Sequence, residues 1–257
     1  MNQDSSRDNR LAVVTGTSSG LGAAIAAALM QEGWNVVGLS RRPVDFGDPH
    51  YRHIQTDLAD PERVREVADR NIVPLIASHP WRRIALVNNA ASAGHLRSVE
   101  EADPSNLMRN LCLNAVAPIV LMGVFVRVVP PATLLRIVNI SSGVATHPYP
   151  GSVDYGSSKA ALRHAGRILA AELTSEQRPG GPQKNACILS YAPGVVETPM
   201  QDQLRDLGGP WNQMFVDFRD KGLLQPAELP AREVVSFLSG DSTEPFEERR
   251  FGDTRQT

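Results

Sequence analysis

The start of the sequence joins a buried strand to a helix through a glycine-rich turn. Leu11 to Thr15 form an apolar run (LAVVT), and the turn TGTSSGLG follows it. The Ala-rich stretch from Gly20 to Gly33 is typical of a helix. A strand that is apolar along its whole length and leads into a helix is the repeating unit of a parallel sheet covered on both faces. This feature restricts the chain to the α/β class.

The same alternation continues along the chain. Further strands are predicted at 35–39, 53–56, 84–87, 134–140 and 186–191. Helices are predicted from about 60, where Pro74 should perturb the helix, and at about 104–129 and 152–176. We therefore predict one Rossmann-type doubly wound domain over residues 10–257, with a mostly parallel sheet of about seven strands and helices on both faces. Residues 1–9 are predicted to form a flexible tail.

Composition excludes several classes of function. The 257 residues carry a formal net charge of -2, so there is no basic excess for nucleic acid or an anionic membrane surface. No segment reads as a transmembrane helix. Cys112 and Cys187 lie in apolar runs without metal-ligand spacing, which favours two reduced thiols, a cytoplasmic location and no metal site.

The pentapeptide YGSSK places Tyr155 and Lys159 four residues apart. On a helix these two side chains share one face. A lysine ammonium near a phenol lowers the phenol's pKa and makes tyrosine a usable proton donor. Because Tyr and Lys also occur at this spacing by chance, the pentapeptide alone does not decide the matter.

The turn after the first strand is a candidate cofactor site. It follows a strand and opens a helix, which is where glycines let a backbone approach a pyrophosphate. Its spacing is G-x3-G-x-G, not the commoner G-x-G-x-x-G, and glycines also serve any sharp turn. The predicted contacts are Gly16, Thr17, Ser18, Ser19, Gly20, Leu21 and Gly22.

These features, with several further motifs in register from about Leu11 to Asp253, resemble the short-chain dehydrogenase/reductase family. The resemblance implies a catalytic tetrad of Asn114, Ser142, Tyr155 and Lys159. It further implies cofactor contacts at Asp57, Leu58, Asn89, Ala90, Tyr155, Lys159, Pro193, Gly194, Val196 and Thr198. One departure is Ala91, where the family usually has glycine, and we expect it to shift that loop only slightly.

The resemblance also implies the roles of the tetrad. Tyr155 gives a proton to the oxygen of a carbonyl that is being reduced, and Lys159 lowers the pKa of the phenol and holds the nicotinamide ribose. Ser142 stabilises the charge that develops on the substrate oxygen. Asn114 is expected at a helix kink that positions a water for proton relay to Lys159.

The end of the second strand predicts which nicotinamide cofactor is used. Ser40, Arg41 and Arg42 follow that strand, and no acidic residue occurs before Asp45. A carboxylate there suits the ribose 2′-OH of NAD, whereas a guanidinium suits the 2′-phosphate of NADP. The sequence therefore favours NADP(H).

The substrate site is predicted at the carboxyl ends of the strands, under a lid at about 195–225. His147 is expected at its rim. The segments SSGVATHPYPG, APGVVETPMQ and RRFGD look most like the sepiapterin reductase and benzil reductase subgroup, in which an aspartate at the position of Asp253 is able to anchor a pterin. The predicted substrate contacts are Ser142, Val144, Tyr149, Tyr155, Met200, Trp211 and Met214, with Leu204 and Phe215 as further lid residues.

The leading hypothesis is an NADPH-dependent carbonyl reductase acting on a ketone or 1,2-dicarbonyl. An NAD(P)-dependent secondary-alcohol dehydrogenase remains an alternative, since the same groups catalyse both directions. A non-catalytic NADP-binding regulator is an alternative of another class. The small and apolar residues near 104–129 and 152–176 predict a homodimer or homotetramer through those helices.

Overall fold

A single parallel sheet organises the computed structural model, which describes residues 9–207 and 210–253. Across the sheet the strand order is β3-β2-β1-β4-β5-β6-β7, and every neighbouring pair is parallel. The prediction of a Rossmann-type α/β sheet is confirmed. Apart from Asn9, the tail predicted at 1–9 lies outside the described residues. The strands are β1 (Arg10–Thr15), β2 (Asn35–Ser40), β3 (Tyr51–Gln55), β4 (Arg83–Asn88), β5 (Leu134–Ile140), β6 (Ala186–Ala192) and β7 (Phe246–Arg250).

Helices cover both faces of the sheet and so bury its central strands on both sides. Helices α1 and α9 pack against one face, and α2 to α6 cover the other. The direction of the strand order changes between β1 and β4, which creates the crevice where ligands bind in such sheets. The helices are α1 (Gly20–Gln31), α2 (Pro61–Val67), α3 (Val73–Ala77), α4 (Pro104–Leu111), α5 (Ala117–Val128), α6 (Val153–Thr174), α7 (Pro199–Asp206), α8 (Gln213–Asp220) and α9 (Glu228–Ser239).

Two helical stretches each contain one wide π-helical turn. The turn at Ala68–Ile72 joins α2 to α3, and the turn at Cys112–Val116 joins α4 to α5. Each turn ends two residues before a proline, Pro74 or Pro118. Proline cannot donate a hydrogen bond to the preceding turn, and a π turn shifts the hydrogen-bond pattern locally. The perturbation expected at Pro74 is therefore confirmed.

The long helical stretch corrects one expectation from the sequence. Pro104–Val128 is 25 residues long and contains an 18-residue window with a mean hydropathy of 2.1, so by length and composition it does match a membrane-spanning helix. However, 44% of that window is buried against the rest of the protein. A core helix of a soluble protein has the same properties, and the packing of α4 and α5 beside the sheet supports that interpretation.

Candidate active site

A cleft of about 920 Å³ lies at the carboxyl ends of the strands. The glycine turn after β1 and the segments that follow β2, β4, β5 and β6 form its walls, together with α7 and α8. Most predicted site residues line this cleft. Thr17, Gly22, Asn114 and Trp211 do not.

The glycine turn has the backbone geometry that close approach to a ligand requires. Gly16 adopts a φ of 77°, in the left-handed region that favours glycine. A Cβ atom on Gly22 would lie 2.3 Å from the carbonyl oxygen of Gly16, so only glycine lets the helix begin this close to the turn. Thr17 is fully buried, and its hydroxyl lies 3.0 Å from that of Tyr51. Thr17 and Gly22 therefore stabilise the turn from its buried side, away from the cleft.

The end of β2 carries positive charge toward the glycine turn. Nη2 of Arg42 donates to Oγ of Ser19 at 3.0 Å and to Oγ of Ser18 at 3.3 Å. The Ser40 hydroxyl donates to the backbone carbonyl of Arg42 at 2.8 Å. Arg41 lines the cleft beside them. Guanidinium and hydroxyl groups that converge in this way suit a phosphate group.

Asp57 is the one acidic residue among the described residues that line the cleft. Burial raises the pKa of its carboxyl, but the Ala59 N–H and the Arg109 guanidinium outweigh this and keep that pKa below its usual value. Arg109 donates to the carboxylate at 2.8 Å. This carboxylate is therefore already paired, and Leu58 beside it is buried.

The loop after β4 is tied directly to the end of β1. The Thr15 hydroxyl accepts hydrogen bonds from the backbone N–H groups of Asn89 and Ala90, both at 2.9 Å. The Asn89 side chain donates to the Thr15 carbonyl at 2.9 Å. Ala90 and Ala91 both line the cleft. A narrow glycine turn, a cluster of phosphate-binding donors and this fixed loop together fit a nicotinamide dinucleotide.

The first turns of α6 present Tyr155 and Lys159 on one face, as the sequence predicted. Tyr155 is hydrogen-bonded to Ser142, which follows β5. The Lys159 ammonium donates to the carbonyl of Ile140 at 2.7 Å and lies 5.6 Å from the centre of the Tyr155 ring. A phenol, a hydroxyl and an ammonium therefore converge on one point of the cleft.

The pKa values at this point differ from the expectation. Burial raises the pKa of Tyr155 to about 12, while the hydrogen bond from Ser142 lowers it. Burial lowers the pKa of Lys159 to about 8. The expected lowering of the phenol's pKa by Lys159 is wrong for the structure, because burial dominates and the ammonium is directed at Ile140. The phenol is protonated at neutral pH, and most of the ammonium is charged.

Asn114 lies in the π turn between α4 and α5 and is completely buried. Its amide nitrogen donates to the Ser92 carbonyl at 2.8 Å and to the Ser158 hydroxyl at 2.9 Å. Its oxygen accepts from the Ser92 N–H at 2.9 Å. Asn114 thus links the loop after β4 to the helix that carries Lys159, and the helix irregularity expected at this residue is present.

The substrate end of the cleft has mostly apolar walls. Val144, Tyr149, Met200 and Met214 line it as predicted, as do Leu204 and Phe215. The Tyr149 and Phe215 rings meet edge to face, with their centroids 6.3 Å apart.

Trp211, predicted as a substrate contact, does not line the cleft. Its backbone carbonyl accepts from the Tyr149 hydroxyl at 2.9 Å. Its ring packs against Gly151, where Cδ1 of the tryptophan lies 2.7 Å from the position of a Cβ. Trp211 therefore joins the segment before α8 to the loop before α6.

Of three residues near the rim of the cleft, two line it and one does not. His147 is exposed and lines the cleft, as expected for a rim residue. Asp253 does not line it, because its carboxylate accepts from the backbone N–H of Arg250 at 2.7 Å and closes the turn after β7. The Arg250 side chain lines the cleft, and the sequence analysis missed it. The pairing of Arg250 with Ala192, next to Pro193, brings it there.

The converging phenol, hydroxyl and ammonium, at the carboxyl ends of this sheet, fit an oxidoreductase that acts between C=O and CH–OH groups. The chain belongs to the short-chain dehydrogenase family, since the family model described as "short chain dehydrogenase" matches residues 10–207. It is 33% identical over 232 residues to a benzil reductase ((S)-benzoin forming) of Bacillus subtilis (strain 168), covering 89% of this chain and 93% of that protein.

Other relatives agree with this placement. The chain is 28% identical over 257 residues to a sepiapterin reductase of Bos taurus, covering 91% of each protein. The crystal structure of the KRED1-Pglu enzyme superposes with a TM-score of 0.76 at 25% identity, covering 93% of this chain and all of that one. The predicted family and its predicted subgroup are thereby confirmed.

Proposed function

We propose that the protein is an NADPH-dependent carbonyl reductase that transfers hydride to the ketone of a 1,2-dicarbonyl compound. The observation that carries this proposal is that Tyr155, Ser142 and Lys159 converge in the same cleft that Arg41 and Arg42 enter from β2. The similarity to benzil and sepiapterin reductases supports the substrate class.

The residues of the cleft divide the reaction among them. The Ser142 hydroxyl holds the carbonyl oxygen and stabilises the negative charge that develops there. The Tyr155 phenol donates its proton to that oxygen, which is favourable even at a pKa of about 12 because an alkoxide is a far stronger base than a phenolate. Lys159, whose ammonium donates to the Ile140 carbonyl, would hold the nicotinamide ribose, as the family resemblance implies. NADPH, when bound, supplies the hydride.

The lid and the cellular location are further parts of the proposal. Residues 195–225, of which 208 and 209 lie outside the described residues, act as a lid over the substrate, which is supported by the cleft-lining residues on α7 and α8. Both cysteines of the described chain are free thiols, with Cys187 buried, which supports a reducing cytoplasm.

The direct test is consumption of NADPH with benzil, 1-phenyl-1,2-propanedione, sepiapterin and acetophenone, with NADH in parallel. We expect turnover of the 1,2-diketones, and slower turnover of acetophenone because it lacks the second electron-withdrawing carbonyl. Protein that binds NADPH but turns over none of the four compounds would contradict the proposal.

The exposed apolar surface supports a homodimer or homotetramer. Met108 on α4, Ile119 on α5 and Ile168 on α6 are 64%, 43% and 48% exposed. Val116, in the π turn, is exposed as well. A second copy that packs on the same face would bury these side chains by a two-fold contact.

Light scattering at micromolar concentration tests the assembly. We expect a mass of two or four times the 27.9 kDa chain. Replacing Ile119→Glu should shift the mass toward the monomer, because it places a charge in the apolar contact. Leu223→Glu, at an exposed position outside α4 to α6, is the matched control and should leave the mass unchanged. A monomeric native protein would contradict the assembly.

A further inference from the structure

Arg250 is the cationic side chain whose role the proposed reaction leaves unassigned. It lies at the end of β7 and lines the substrate end of the cleft. No hydrogen bond or ion pair of its guanidinium is found among residues 9–207 and 210–253. Its neighbour Arg249, by contrast, is paired with Glu247 and stacks on Phe237.

The guanidinium lies next to the residue that follows Ser142. Nη2 of Arg250 is 3.1 Å from the position that a Cβ on Gly143 would occupy. Gly143 directly follows Ser142, so the guanidinium lies beside the residue next to the one proposed to hold the substrate oxygen. A group bonded directly to the reacting carbonyl carbon would therefore lie within its reach.

The charges of the residues that line the cleft favour an anionic ligand for the Arg250 guanidinium. Asp57 is the one carboxylate among the described cleft residues, and it is paired with Arg109 on the side of the cleft away from α7 and α8. The Arg250 side chain is exposed at the rim of the cleft, and its guanidinium offers N–H donors with no protein partner among the described residues. A carboxylate matches a guanidinium with two parallel hydrogen bonds.

We propose that Arg250 is a specificity residue that binds the carboxylate of a 2-oxo acid substrate. This inference rests on the proposed function, because it identifies the second carbonyl group of the substrate as a carboxylate. In the reaction the ketone carbon accepts hydride from NADPH and the oxygen accepts the Tyr155 proton. The products are a 2-hydroxy acid and NADP⁺, and Tyr155 regains its proton from solvent.

The test compares benzoylformate with its methyl ester, a pair that differs in the charge beside the ketone. In Arg250→Gln the ratio of kcat/KM for the acid to kcat/KM for the ester should fall about tenfold relative to the native protein. Arg232→Gln removes the same charge from an exposed position on α9, outside the cleft, and should leave the ratio unchanged. Added NaCl should weaken the preference for the acid in the native protein and not in Arg250→Gln.

A second variant and a binding measurement separate recognition from catalysis. Gly143→Ala, whose new methyl group would push the guanidinium aside by a few tenths of an ångström, should lower the acid-to-ester ratio in the same direction and by less than Arg250→Gln does. Titration of benzoylformate onto the NADP⁺ complex should show about tenfold weaker binding in Arg250→Gln. Equal losses for acid and ester, or no change in either, would overturn the role of Arg250. Native protein that reduces the diketones but does not bind benzoylformate would overturn it while leaving the proposed function intact.

Discussion

Replacing Tyr155→Phe is expected to lower kcat/KM for ketone reduction by about a thousandfold, which corresponds to about 4 kcal/mol of transition-state stabilisation. The substitution removes the phenol proton and leaves the ring in place. The hydrogen bond with Ser142 is lost, and with it the group proposed to protonate the substrate oxygen. Stopped-flow measurement of NADPH oxidation under single-turnover conditions reports the chemical step directly.

The control for this variant is its affinity for the cofactor. We expect the dissociation constant for NADPH, measured by fluorescence, to change by less than about threefold, because the donors proposed to bind its phosphates, Arg42 and the serines of the glycine turn, lie away from Tyr155. Retained turnover in Tyr155→Phe would remove the phenol from the mechanism. A parallel loss of cofactor binding would show that the substitution damages the cleft as a whole.

The architecture could be predicted from the sequence because the pattern of apolar residues in most strands and helices shows which of their faces are buried. Strands such as LAVVT and IALV are apolar throughout, which occurs when both faces of a sheet are covered. Strand β7, by contrast, reads FEERR and carries four charged residues among five. It lies at the edge of the sheet with its charged ends in solvent, so no apolar pattern marks it. Arg250 was missed for the same reason.

The site shows where sequence reasoning stops. The spacing of Tyr155 and Lys159 predicted that they share one helix face, and the family resemblance added Ser142. The three meet because the end of β5 lies beside the start of α6. Spacing does not say which side of a turn a residue faces, so Thr17 was assigned to the cleft although it is buried under it. Nor does spacing report burial, which decides the direction of the Tyr155 pKa. Trp211 was misplaced because its packing partner, Gly151, is distant in sequence.

Replacing Arg42→Ala is expected to lower kcat/KM for NADPH about a hundredfold, and to change the value for NADH by less than about threefold. The reason is that Arg42 lies over Ser18 and Ser19 at the end of β2, where it can reach a 2′-phosphate that NADH does not carry. A lost charge-assisted contact to phosphate is worth about 1.5–3 kcal/mol. Initial rates with both cofactors, measured on one diketone, give the ratio.

Two further substitutions test whether the loss of NADPH activity is specific to Arg42. Arg41→Ala removes the other guanidinium that lines the cleft, and a smaller loss is expected because its side chain makes no hydrogen bond to the serines of the turn among the described residues. Arg52→Ala removes the same charge from an exposed position on β3 outside the cleft and should leave both cofactors unaffected. If all three variants lower NADPH and NADH activity equally, the arginines act through the net charge of the surface or through folding. A loss confined to NADPH in Arg42→Ala would assign the 2′-phosphate to the end of β2.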